Sequence, residues 1–243
     1  MLAQLSPFEF FYGSFTFASV IISFILGLFI ALKYIKHKRV ELLLVGISWI
    51  LLGSPYWSDA LQFIMVTIFE TELKPPLYFF LANALVAPIH ITWSFTFTNL
   101  LFKKSKNKLR IFFGVEAVIY EIIFLSVFII DPYLLATPHS VFVVEWAIWI
   151  QIYLLFSIGL FLITGFLFAR ASIKAPEAEL KLKGKFLIIA FLTFTFAAII
   201  DVIGAENPTE ISIFLARTFL IFSSICFYIG FTMPKFIKRL FIK

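Results

Sequence analysis

The chain of 243 residues has one cysteine, few charges and no catalytic signature, and each shortage closes off a class of protein. Cys226 stands alone inside an apolar stretch, so no intramolecular disulfide can form. Charged residues make up 14% of the chain and hydrophobic residues 62%, against roughly 25% charged in soluble globular proteins. Such a chain cannot cover itself with polar surface in water. No two of the ten glycines stand four apart, which removes the small-residue spacing by which membrane helices commonly approach each other. There is no His-x-x-x-His, His-Glu-x-x-His, Asp-x-x-Asp, Gly-x-Ser-x-Gly or glycine-rich phosphate loop. The common metal, prenyl-diphosphate, acyl-transfer and nucleotide chemistries therefore lack their residues, so neither an enzyme nor a cofactor is expected.

What charge there is lies in a pattern. Eighteen of the twenty Lys and Arg residues fall into four clusters, at Lys33–Arg39, Lys103–Arg110, Arg170–Lys185 and Lys235–Lys243, each at the end of every second hydrophobic stretch. The intervening connections, around Glu72, Asp131 and Glu206, are acidic or neutral. By the positive-inside rule the basic clusters are cytoplasmic, so the chain is expected to be all-α and to cross the cell membrane seven times, N-terminus outside and C-terminus cytoplasmic. The spans read as 8–32, 40–69, 77–102, 110–130, 140–169, 185–205 and 211–232. Residues 1–232 then form a seven-helix transmembrane domain, and 233–243 a basic amphipathic tail suited to the inner interface. Glu9 precedes the first apolar stretch with no basic residue beside it, the reverse of a signal peptide, so that span is expected to be retained. The net charge of +6 implies attraction to anionic lipid headgroups rather than to nucleic acid.

The second stretch is too long for a straight crossing, and Gly53-Ser54-Pro55 predicts a kink, with Trp57 and Asp59 near the outer interface and 60–69 a tilted or interfacial extension. Pro88 is the other proline deep inside a span. The fifth stretch is expected to set Glu145, Trp146 and Trp149 in its first turns at the outer headgroups. Loops are short, the longest being Ala171–Gly184, so successive helices should pack as antiparallel neighbours.

Ionisable groups inside the hydrocarbon region are costly and usually face the bundle interior and a partner. Arg217 is the one arginine far from a basic cluster, and a guanidinium cannot deprotonate to escape burial. It needs a carboxylate. Asp201 is the nearest across the short connection between the last two spans, with Glu121 or Glu145 next. Two readings follow: an interhelical ion pair that fixes packing, or an outward-facing polar pocket holding Arg217, Asp201, Glu121 and His90, with Glu145 and Gln151 close by. In the pocket reading an anion or other polar ligand would contact Arg217. Glu116 is expected to reach Tyr120 or a cytoplasmic lysine.

Seven helices, an outer N-terminus, short loops and a basic amphipathic segment after the last helix resemble the layout of seven-helix receptors and microbial rhodopsins. That likeness rests on topology. Span seven holds Arg217 and no lysine before Lys235, so covalently bound retinal is not implied, and Thr98-Asn99-Leu100 stands where animal receptors carry Glu/Asp-Arg-Tyr. The expected function is a receptor-like or sensor-like protein with a polar ligand or ion site in its outer half and output through a cytoplasmic or membrane partner. A small-solute or proton-coupled transporter and a structural subunit of a larger complex are the alternatives. A polar path past His90 to Glu116 would favour transport, and a sealed bundle the structural role.

Overall fold

A computed structural model describes residues 5–102, 104–205 and 207–242, with Leu100 described by its backbone alone. Lys103, Glu206 and Lys243, placed above in two basic clusters and an acidic connection, lie outside the described residues. Seven helical segments are long and apolar enough to cross a membrane, which marks an integral membrane protein. Large apolar side chains such as Ile111, Ile122, Ile163 and Leu192 stay exposed along them, an arrangement suited to lipid.

Helix α1 (Pro7–His37) opens on a capping box in which Ser6 and Glu9 satisfy each other's backbone N–H groups, and it ends at Lys38 in a left-handed conformation. The second span is broken as expected: α2 (Val40–Leu52) passes through a tight 3-10 turn at Ser54–Tyr56 into α3 (Trp57–Phe69). Its far part is packed into the bundle. Asp59, Ala60, Gln62 and Val66 are buried, and α3 packs against α1 and the following helix. The third span is also broken, into α4 (Pro75–Asn83) and α5 (Val86–Leu101). Pro88 explains the site of the break, because it has no N–H for the Ala84 carbonyl four residues back and its ring would clash there.

Helix α6 (Lys106–Ile130) leads to the longest connection, 131–147, which holds a hairpin of β1 (Ala136–Pro138) and β2 (Val144–Trp146) in the register Ala136↔Trp146. Glu145 and Trp146 therefore sit on a strand, and the fifth span, α7 (Ile148–Ile173), starts after them. The expected long loop at Ala171–Gly184 is only 174–177, because α7 and α8 (Ala178–Gly204) extend into it. Thr209 caps α9 (Glu210–Thr232), and α10 (Lys235–Phe241) forms the amphipathic tail. Lys238 Nζ meets Glu179 at 2.5 Å and ties that tail to α8.

The spans close a ring in the order α1, α2, α5, α7, α8, α9 and back to α1, with α6 packed on α5 outside it. Close approach is achieved without paired glycines. A Cβ on Gly46 would lie 2.5 Å from the backbone of Gly27 and Ala31, so α1 and α2 touch through single small residues. The basic clusters gather at one end of the bundle, where Lys33, His37, Arg39, Lys106 and Lys183 line a cavity of about 840 Å³. This is the tail end; the hairpin marks the other. Between them Trp49, Trp93, Phe161, Phe191 and Phe227 form a buried aromatic layer, with the Trp49 and Phe227 rings stacked at 3.9 Å.

Candidate functional site

Arg217, only 1% exposed, lies near the hairpin end of α9. Its Nη1 donates to Asp201 Oδ2 on α8 at 2.7 Å, and its Nε to Thr16 Oγ1 on α1 at 2.8 Å. The carboxylate partner demanded by a buried guanidinium is thus the one favoured by the short α8–α9 connection. Two rings flank the cation, Tyr56 with its centroid 4.7 Å from Cζ and Tyr12 at 5.6 Å. The Tyr56 hydroxyl also donates to Asp201 Oδ2, at 2.7 Å.

Tyr12 leads to a second acid. Its hydroxyl donates to Asp59 Oδ2 at 3.3 Å, and the Tyr78 hydroxyl on α4 donates to Asp59 Oδ1. The turn at 54–56 carries Tyr56 and the start of α3 inward, so Asp59 is 6% exposed inside the bundle. Gln62, one turn on, faces the same way and accepts the Leu73 N–H at 2.7 Å, which holds α4 against α3. Five of the seven spans supply a residue to this constellation.

Tyr12, Tyr56, Asp59, Tyr78, Asp201 and Arg217 wall a cavity of about 180 Å³ at the hairpin end. Phe142, Val144 and Trp146 of the hairpin form one side of it, and Phe142 stacks on Tyr12 at 5.1 Å and 12°. Phe194, Ala198 and Ile213 form apolar wall.

The other residues singled out in the sequence do not line this cavity. His90 belongs to a second cluster on α5, where its Nδ1 meets Glu116 Oε2 at 2.8 Å and its Nε2 meets Ser157 Oγ at 3.0 Å. Glu116 therefore binds across to α5, not to Tyr120 or a lysine. Ser157 reaches the cavity wall, so the clusters are joined through one hydroxyl. The far side of this chain opens sideways, onto a groove between α6 and α7 lined by Glu116, Ile119, Tyr120 and Tyr153. Glu121 is half-buried on α6 with one carboxyl oxygen enclosed and unpartnered. Glu145 is exposed and pairs with His139 within the hairpin at 3.0 Å, and Gln151 donates to the Trp146 carbonyl at 2.7 Å.

Serine, both imidazole nitrogens and a carboxylate in this order recur in acyl-transfer triads. The surroundings do not suit that chemistry. Ser157 lies mid-helix and donates to the Tyr153 carbonyl at 2.8 Å, and the neighbouring N–H groups are committed to the helix, leaving none for an oxyanion. No metal-binding group of three or more His, Cys, Asp or Glu residues occurs among the described residues. No family model, curated protein or solved structure matches the chain.

Proposed function

We propose that the chain is a receptor-like or sensor-like membrane protein that binds a small ligand in the hairpin-end cavity and acts through a separate partner at its tail end. The observation that carries this reading is a cavity at the hairpin end walled by the buried Arg217 and Asp59, with the aromatic layer of Trp49, Trp93 and Phe227 packed beyond it. On this reading the four basic clusters face the cytoplasm and the hairpin faces outward, in the cell membrane. Lys33, Arg39, Lys106 and Lys183 around the tail-end cavity suit anionic headgroups or an acidic partner.

Proton-coupled transport is the second reading, and the chain from Ser157 through His90 to Glu116 is what favours it. That chain leaves the cavity sideways toward α6 and α7 and does not run on to the tail end, which weighs against alternating access.

Single cysteines in a Cys226→Ser background test both readings. Ser212→Cys, on the cavity wall, should react with an impermeant thiol reagent applied outside and not from inside, and Lys106→Cys should react only from inside. Labelling of position 106 from outside overturns the orientation. Labelling of position 212 from both sides, with proton flux into proteoliposomes abolished by Glu116→Gln, promotes the transporter.

A further inference from the structure

The cavity carries one negative charge in excess. Arg217 and Asp201 cancel as a pair at 2.7 Å, while Asp59 has no cationic partner among the described residues. Asp59 is held by two tyrosine hydroxyls alone, and no other described charged side chain lines the cavity. A buried carboxylate with no salt bridge of its own is expensive, and a cation in contact with it recovers much of that cost.

Hydrogen-bonding capacity points the same way. The Tyr12 and Tyr78 hydroxyls spend their protons on Asp59, and Tyr56 spends its own on Asp201. Ser58, Ser157 and Ser212 donate to the carbonyls of Pro55, Tyr153 and Thr209. Arg217 commits its Nε–H and one Nη1–H and keeps three N–H groups, one on Nη1 and two on Nη2. Apart from these N–H groups of the paired cation, the tyrosine oxygens and carboxylate lone pairs that remain are acceptors, which a ligand must meet with donors. Aromatic faces complete the wall. Tyr12, Tyr56, Tyr78, Phe142, Trp146 and Phe194 line it, and two of these rings already hold one cation, Arg217.

We infer that the ligand is a small organic monocation, an alkylammonium or a group of that charge, with Asp59 as its counter-ion. This rests on the ligand-binding reading above and reverses the sign of the anion expected from Arg217 alone. Size limits it further. A cavity of about 180 Å³ is slightly larger than the ~150 Å³ that admits benzene in an engineered protein, so the ligand is a single ring or a short branched chain.

Three probes of similar shape test the inference on the purified full chain in lipid nanodiscs: cyclohexylammonium, cyclohexanol and cyclohexanecarboxylate, each titrated by calorimetry. Cyclohexylammonium should bind at least about tenfold tighter than cyclohexanol, the scale of a desolvated cation–π contact plus a counter-ion. The carboxylate should bind most weakly. Asp59→Asn should erase the preference of ammonium over alcohol. Tyr78→Phe, which keeps the carboxylate, should retain the preference, and if Asp59→Asn does not fold the three probes on the unaltered chain still decide the sign. Tightest binding of the carboxylate, or an ammonium preference that survives Asp59→Asn, overturns the cationic ligand while leaving the cavity reading intact. Binding of none of the three overturns the ligand-binding reading itself.

Discussion

Two buried polar clusters stand among the described residues of the bundle, and they are finished to different degrees. Around Arg217 the guanidinium has Asp201, Thr16 and two tyrosine faces, and the second carboxylate nearby has two hydroxyls. Around His90, Glu116 keeps one buried oxygen without a partner, and the stacked neighbours Tyr120 and Tyr153 include a Tyr120 hydroxyl that is also unpartnered. The difference follows from acid–base chemistry. A guanidinium cannot shed its charge, so the fold must supply it a counter-charge. An imidazole and a carboxyl can exchange a proton and become a neutral pair, so an incomplete shell is tolerable. The first cluster behaves as a fixed feature of the fold, and the second as the more adaptable one.

The largest effect should therefore come from breaking the fixed charge. Arg217→Ala strands Asp201, and removal of one partner from a buried pair costs about 3–5 kcal/mol. Asp201→Asn strands the guanidinium and should cost a similar amount. Both should lower the melting midpoint in detergent far more than Lys74→Ala, an exposed control. Midpoints equal to that control would mean that the pair at 2.7 Å holds nothing together.

The adaptable cluster should respond less. Glu116→Gln keeps shape and one hydrogen bond to His90, and interhelical side-chain bonds in membranes average about 0.6 kcal/mol, reaching about 1.7. We expect a loss within that range, measured in the same melting series. A loss as large as that of Arg217→Ala would erase the distinction between the clusters.

How much of this could be read from residues alone divides along the same line. Arg217 forces its own answer: a buried cation with a short connection to the preceding span has few carboxylates to choose from, and Asp201 was the nearest. The break at Gly53-Ser54-Pro55 was equally legible, because proline removes a donor. Its consequence was not. Asp59 beside Trp57 looks like an interfacial anchor, and only the direction taken by the chain after the turn carries it inside, where Tyr12, Tyr56 and Tyr78 converge. Tyr56, Trp57 and Asp59, directly after the helix break, were the available signal. The choice between Glu116 and Glu121 was hidden for another reason. Five residues apart on a helix at ~3.6 per turn, they point about 140° apart, and only one can face α5. Helix α6 is apolar around its whole circumference, so nothing in its sequence fixes the rotation. The close contact at Gly46 was hidden because a lone glycine shows no spacing, although one suffices when the opposing residues are Gly27 and Ala31.

The hairpin gives the smallest effect and the sharpest contrast with both clusters. Its ion pair, His139 with Glu145 at 3.0 Å, joins side chains that are 49% and 51% exposed, and pairs of this kind contribute about 0–1 kcal/mol. The hold of the hairpin on the bundle comes instead from Phe142, 4% exposed and stacked on Tyr12. Glu145→Ala should therefore shift stability by no more than about 0.5 kcal/mol and leave cyclohexylammonium binding unchanged. Phe142→Ala removes the ring that lies on Tyr12 and should weaken that binding measurably, since Tyr12 also orients Asp59. The contrast fails if Glu145→Ala weakens the ligand as much as Phe142→Ala. The hairpin would then act on the cavity through its charge, and the long-range field of Glu145 would have to be counted with Asp59 in setting the sign of what binds.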